Sequence, residues 1–336
     1  MNKKIKSTLK IALFFLLALF FVWWFVSKLS KDEVNDMFNS FKYANYFWFV
    51  LAVVINSFSH YIRALRWRLL IKPLGYETGK GYTFLAVMSC YLTNLAVPRL
   101  GEIVRSTMIT SRYKVSFDKT LGTVITERAV DTLLFVLIFF VAFLFEYNLF
   151  KDYIIDNLNI DLNKYTFLFV IGIIGVLFAI ILLFIFRKKL SNNKIYNKIK
   201  GFFSGIWQGM KTVLKLEKPY LFIAYSLFIW FLWIFGTWIL FKAMTETFSL
   251  GMKQAMVVTV LGSIGTMITP GGIGIYPTIF AKVLEVYSIK RAVGYALGWL
   301  CWLVSQIGPV LIGPIGFIIF AKGNKNKNVK DNVTGD

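Results

Sequence analysis

The sequence predicts an all-α polytopic membrane bundle of about six full spans plus two broken, re-entrant helical hairpins in an inverted-repeat arrangement. Three observations predict it. Hydrophobic residues make up 57% of the 336 residues, above the roughly 45–50% of ordinary soluble domains. Tyr165 to Phe186 runs 22 residues without a charge, longer than the roughly 18 that a spanning helix needs. Two apolar stretches are interrupted alike, one in each half: NLAVPRLGEIVR at Pro98 and Gly101, and TMITPGGIGIYP at Pro270, Gly271, Gly272, Gly274 and Pro277. Proline removes a backbone donor and glycine weakens a helix. In lipid, such backbone is tolerated only where it is buried in protein or lines a cavity. Paired interruptions in two halves point to a transport site near the midplane.

The elements follow in order. Leu9–Val26 has a lysine-rich lead, lacks a small-residue cleavage site and ends in Trp23, Trp24 and Lys28, so it reads as an uncleaved anchor. The loop Lys28–Asn45 balances its lysines with Asp32, Glu33 and Asp36 and reads as outside. Tyr46–Ile62 is the second span, and Arg63, Arg66, Arg68 and Lys72 after it read as inside. Tyr82–Val97 is only 16 residues long. A full crossing there would leave Arg99, Arg105, Arg112 and Lys114 outside, whereas a hairpin from the cytoplasm keeps them in. Leu121–Phe145 leads out to Asp152, Asp156 and Asp161, and Tyr165–Phe186 returns to Arg187, Lys188 and Lys189. Leu221–Phe241 goes out again, and Met252–Tyr287, broken at Pro270, is the outer counterpart of the first hairpin. Ala292–Phe320 ends inside, with Pro309 and Pro314 expected to kink or split it. Each hairpin arm as a short, tilted full span is the alternative.

Net charge is +21, yet most of the 38 Lys and Arg fall in stretches read as cytoplasmic. Topology therefore explains the basicity, with a share left for anionic lipid headgroups, and no nucleic-acid partner is implied. Both termini read as cytoplasmic. Ile195, Ile199, Phe202, Ile206, Met210 and Val213 recur at helical spacing opposite lysines, which predicts a basic interfacial helix over 188–219. Residues 322–336 are polar and expected to be disordered, leaving 1–321 as the transmembrane domain. Cys90, Cys301 and His60 match no disulfide framework or metal spacing, so neither metal nor cofactor is expected.

Three groups could carry function. Glu127 and Asp131 lie four apart on one helical face, with Arg128 placed to pair with Asp131. Ionisable groups inside a span cost several kcal/mol unless paired or wetted, and so mark a pathway; snorkelling to the cytoplasmic interface is the structural reading. Arg99, Glu102 and Arg105, spaced by three, follow Thr93, Asn94 and the break at Pro98. The two arginines match phosphate oxygens, with Glu127 or Asp131 holding them when no substrate is bound. They are otherwise topological charges. Thr269, Pro270, Gly271, Gly272 and Gly274 could present bare N–H groups to an anion or simply pack tightly. Asn56, His60 and Arg63 read as a helix end at the interface, and Trp230, Trp233, Trp238, Trp299 and Trp302 as aromatic belts.

VPRLGEIVR (Val97–Arg105), ITERAVD (Ile125–Asp131) and TPGGIG (Thr269–Gly274), in that order, resemble the flippase-like membrane family that includes the transmembrane half of lysylphosphatidylglycerol synthase. The likeness covers roughly Tyr46 to Phe320. It implies translocation of a lipid or lipid-linked substrate across the inner membrane, with partners of the anionic-headgroup or polyprenyl-phosphate type. It also implies that Arg99, Glu102, Arg105, Glu127, Arg128, Asp131 and the Pro270–Gly274 turn line the working cavity. Two departures stand out. A soluble aminoacyl-transferring domain is not seen in this sequence, so lysine transfer to lipid is not expected. Many relatives carry a glutamate near the position of Pro277, where this sequence reads GIYPT. The alternatives are a membrane-embedded transferase acting on a phospho- or polyprenyl-lipid and a non-transporting envelope accessory protein. The sequence shows no Asp-x-Asp, no His–Glu pair and no Ser–His–Asp candidate for enzyme chemistry.

Overall fold

A computed structural model describes residues 23, 25–27, 29–147 and 212–333. Among them the chain is helical, with no strand. The α-helices are α1 (Lys31–Lys42), α2 (Tyr46–Ile71), α3 (Lys80–Ala96), α4 (Leu100–Tyr113), α5 (Phe117–Phe145), α6 (Pro219–Phe241), α7 (Met252–Ile268), α8 (Ile275–Val286) and α9 (Arg291–Val333). Four segments are long and apolar enough to cross a membrane: Tyr46–Leu74, Phe117–Phe145, Pro219–Phe241 and Arg291–Gly323. They coincide with four of the six expected spans. The expected span Tyr165–Phe186, most of Leu9–Val26 and most of the basic helix over 188–219 lie outside the described residues.

The frame is two matching halves. Each is a long helix, a broken hairpin and a second long helix: α2, α3/α4, α5, then α6, α7/α8, α9. The halves run in opposite senses. The amide of Asn45, before α2, donates to the carbonyl of Ala243, after α6, at 2.8 Å. Lys72, after α2, pairs with Glu217, before α6, at 2.7 Å. So α2 and α6 are antiparallel, and the hairpins that follow them start from opposite ends of the bundle. The hydrogen bond from Lys72 holds the exposed Glu217 carboxyl below its ordinary range. Its contribution fades as pH falls through that lowered value and is small at any pH, because water screens an exposed pair.

The hairpin arms are also short. At about 1.5 Å per residue, α3 and α7, each 17 residues, rise only about 25 Å, and α4 and α8, at 14 and 12, about 21 and 18 Å. All stop short of a hydrocarbon core about 30 Å thick. The first hairpin also closes on itself, since the Gly79 amide donates to the Tyr113 hydroxyl at 2.7 Å. Each hairpin organises its own core. Trp67, Ile71, Val87, Met108 and Phe222 bury around the first, and Leu240, Val258, Phe280, Leu284 and Leu297 around the second.

Three expectations need correction. The segment Lys28–Asn45, expected as an outer loop, contains α1, whose Ser30 and Glu33 form a reciprocal capping box that stops two orphan amides from fraying the helix. Pro309 and Pro314 do not split α9. The helix is braced there by α3, where the Ser89 hydroxyl donates to the Gly313 carbonyl at 2.9 Å. The stretch expected to be disordered from 322 continues α9 to Val333. Extending a formed helix needs no new nucleus.

Candidate functional site

Both hairpins break by the same backbone sequence. Val97, before Pro98, is extended at φ −138 and ψ 112, and Thr269, before Pro270, at φ −118 and ψ 155. The proline ring disfavours helical geometry in the residue ahead of it. The residue after each proline then turns left-handed: Arg99 at φ 67, ψ −3 and Gly271 at φ 60, ψ 7. Gly271 adopts this freely, whereas a residue with a side chain is held there at a cost of about 1–2 kcal/mol. Arg99 thus occupies a position that the other half gives to glycine. It is exposed at the N-terminus of α4, not a member of the helical face shared by Glu102 and Arg105 that its spacing suggested.

The turns meet. A Cβ on Gly271 would lie 2.7 Å from Cδ1 of Leu95, the neighbour of Asn94. Trp302 of α9 donates its indole N–H to the Gly271 carbonyl at 2.7 Å. Thr269 is buried, its hydroxyl donating to the Ile273 carbonyl at 3.3 Å. Gly272 and Gly274 also take positive φ, and the Gly272 amide donates to the Thr269 carbonyl. Tight packing, one of the two readings of this glycine run, is met here. On the first turn, the side-chain carbonyl of Asn94 accepts the Gly101 amide at 2.8 Å, and Pro98 is exposed.

Beside the first turn lies a knot of buried charge. Glu127 Oε1 lies 3.0 Å from Arg63, 3.3 Å from Arg105 and 3.4 Å from Arg66. One turn on, Asp131 binds Arg63 at 2.8 Å and Arg66 at 2.6 Å. Glu127, Arg63, Arg66 and Arg105 are each at most 2% exposed. Aromatic faces back the guanidinium groups: Trp67 under Arg105 at 4.7 Å, Trp233 under Arg63 at 5.3 Å and Phe222 under Arg66 at 5.3 Å. The Ser226 hydroxyl accepts a further bond from Arg66. Arg128 pairs with Glu102 at 3.2 Å, not with Asp131 as expected, because Arg63 and Arg66 already occupy that carboxylate. Arg105 rests on Glu127, the carboxylate partner expected for it when no substrate is bound.

Arg63 and Arg66 are the functional candidates that sequence reasoning missed. The positive-inside rule absorbed them as loop charges after a span ending at Ile62, whereas α2 runs on to Ile71 and buries both. The signal was present: Trp67, Leu70 and Ile71 continue the apolar stripe past the arginines, and all three are buried. His60 is also buried rather than at an interface, its ring 4.4 Å from Tyr91. Two of the expected belt tryptophans serve inside the bundle. Trp233 donates to Ser59 and faces Arg63, and Trp302 holds the second turn. No cluster of potential metal ligands occurs among the described residues. Pro277 stands in the first turn of α8, where proline is tolerated, and a Cβ on Gly298 would lie 2.8 Å from its Cα.

Four helices long and apolar enough to cross a membrane, two broken hairpins that start from opposite ends of the bundle and a buried ionic knot define a multi-pass helical membrane protein. Residues 8–313 match the family described as the lysylphosphatidylglycerol synthase TM region, and the chain belongs to that family. Its relatives include UPF0104 membrane protein MJ1595 of Methanocaldococcus jannaschii, 26% identical over 84% of this chain and 87% of the relative. A second protein of that organism, UPF0104 membrane protein MJ1078, is 26% identical over 68% of this chain and 94% of its own length. UPF0104 membrane protein PH1989 of Pyrococcus horikoshii is 24% identical over 79% and 85%. No solved structure matches the chain.

Proposed function

We propose that this protein translocates a lipid or lipid-linked substrate, holding its anionic headgroup where the two broken hairpins meet while the acyl or prenyl tails stay in the bilayer. The observation that carries this reading is the charge balance beside the meeting point. Arg63, Arg66, Arg105 and Arg128 share Glu102, Glu127 and Asp131, so the group carries one net positive charge, and exposed Arg99 adds another. Excess cations near a wet break in a membrane bundle favour a phosphate-bearing ligand. Leu100 and Ile103, 39% and 47% exposed on α4, offer apolar surface beside Arg99 for the tails. The knot of Arg63, Arg66, Arg105, Glu127 and Asp131 fixes the first hairpin, and the hairpins give access from opposite sides. The family's kinship with the membrane part of a lipid-modifying synthase agrees with a lipid substrate. On this reading residues 1–321 act as one unit of the inner membrane, with both termini cytoplasmic.

The test is headgroup accessibility in proteoliposomes carrying a trace of fluorescent anionic phospholipid. Quencher added outside is expected to reach inner-leaflet headgroups faster than in protein-free vesicles, and Arg99→Ala to return the rate toward the protein-free value. Equal rates with and without protein contradict the reading.

A further inference from the structure

We infer that Glu102 is a resident competitor for the ligand: its carboxylate occupies Arg128 and must swing away before an oxyanion can bind Arg128 and Arg99 together. This inference rests on the anion-binding reading of the site and names the residue that regulates it.

The Glu102–Arg128 pair differs from the knot beside it. Arg63, Arg66, Arg105 and Glu127 are each at most 2% exposed, and Arg63, Arg66 and Glu127 have more than one ionic partner. Glu102 and Arg128 share one contact of 3.2 Å, and their side chains are 19% and 38% exposed. The only other side-chain bond to Glu102 among the described residues is a long one, from Asn94 Nδ2 at 3.4 Å. Both partners also have unused bonding capacity. Oε2 of Glu102 is buried without a hydrogen-bond partner, unlike either oxygen of Glu127; Nε of Arg128 is unmet too, as it is in Arg63, Arg66 and Arg105. A guanidinium normally presents two parallel donors to a carboxylate or phosphate. Here it receives one oxygen, and the second donor and the second acceptor both go unmet. An unmet buried polar atom is costly, so the pair is a poor substitute for a better-fitting oxyanion.

Location completes the case. Glu102 lies in the first turn of α4, three residues after Arg99, whose left-handed backbone is maintained without a glycine. Anions are favoured at a helix N-terminus, and Glu102 supplies one when no ligand does. Among the described residues near this point, the other carboxylates, Glu127 and Asp131, are already claimed by Arg63, Arg66 and Arg105. Displacing Glu102 therefore frees Arg128 without disturbing the knot. Arg128 is on α5 and Glu102 on α4, so exchange of partners also loosens the tie between the hairpin and the long helix.

The experiment is a binding titration on purified, detergent-solubilised full-length protein at low ionic strength. Dioctanoyl phosphatidic acid is the lipid probe, with inorganic phosphate and dioctanoylglycerol as separate arms. Glu102→Gln, which keeps shape and removes charge, is expected to bind the phosphatidic acid about ten-fold more tightly than wild type, a gain of about 1.4 kcal/mol. The gain should vanish in Glu102→Gln/Arg128→Ala. A structural role for Glu102 predicts loss rather than gain, and matched melting curves of wild type and variant check folding. Wild-type binding that depends on Arg99 but is unchanged or weakened by Glu102→Gln overturns the competitor role and leaves the anion site standing. A gain that persists without Arg128 overturns it as well. Absence of phosphatidic acid binding in both wild type and Glu102→Gln overturns the site itself. A gain for inorganic phosphate equal to that for phosphatidic acid supports the competitor role and identifies the free anion, not the lipid, as the ligand.

Discussion

Glu127→Ala is expected to cost about 3–5 kcal/mol of folding stability, the penalty for removing one partner from a buried ion network. Glu127 is fully buried, and its Oε1 gathers Arg63, Arg66 and Arg105 from two different helices. Without it, Asp131 alone would serve Arg63 and Arg66, and Arg105 would have no carboxylate partner. Truncation also opens a cavity beside Arg63, Arg66 and Arg105. A thermal melt of the detergent-solubilised protein should show a large drop in midpoint or no folded species. A change below about 1 kcal/mol, typical of exposed pairs, would mean that the knot is hydrated and dispensable.

Gly101→Ala should prevent the first hairpin from closing. Gly101 packs directly on α3, and any Cβ there would collide with the Cys90 carbonyl and sit 2.8 Å from Asn94 Oδ1. Overpacking usually costs about 1–3 kcal/mol, and more where the obstacle is backbone that cannot rotate away. Gly122 is the control. It is helical, and a Cβ added there would meet nothing within 4 Å, so Gly122→Ala should be neutral or stabilising by up to about 1 kcal/mol. The pair of melting curves separates the close approach of α3 and α4 from a general effect of helix propensity. Equal behaviour of the two variants would contradict the packing.

The plan of the fold was legible because lipid imposes few solutions. Uncharged runs marked four observed spans, and Pro98 and Pro270 marked both turns, since proline acts locally on itself and the residue before it. The capping box at Ser30 and Glu33 was legible too, but charge balance led to a loop being expected there. Partners were not legible. Spacing along one helix suggested that Arg128 meets Asp131, whereas Asp131 is filled by Arg63 and Arg66, more than sixty residues away. Local periodicity says which residues share a face, not what the opposing helix brings. The positive-inside rule failed at Arg63 and Arg66 for a related reason. It counts charges near a span end and cannot tell a solvated arginine from one neutralised by a carboxylate on another span. The left-handed Arg99, matched to Gly271, became visible only when the two turns could be compared.

A density map of the protein in nanodiscs containing anionic phospholipid tests the central claim most directly. The expected result is a headgroup phosphate bonded to Arg99 and Arg128 beside the touching turns at Leu95 and Gly271, with Glu102 turned away. Lipid confined to the outer belt, with Arg128 still on Glu102 and the two turns parted, would contradict it.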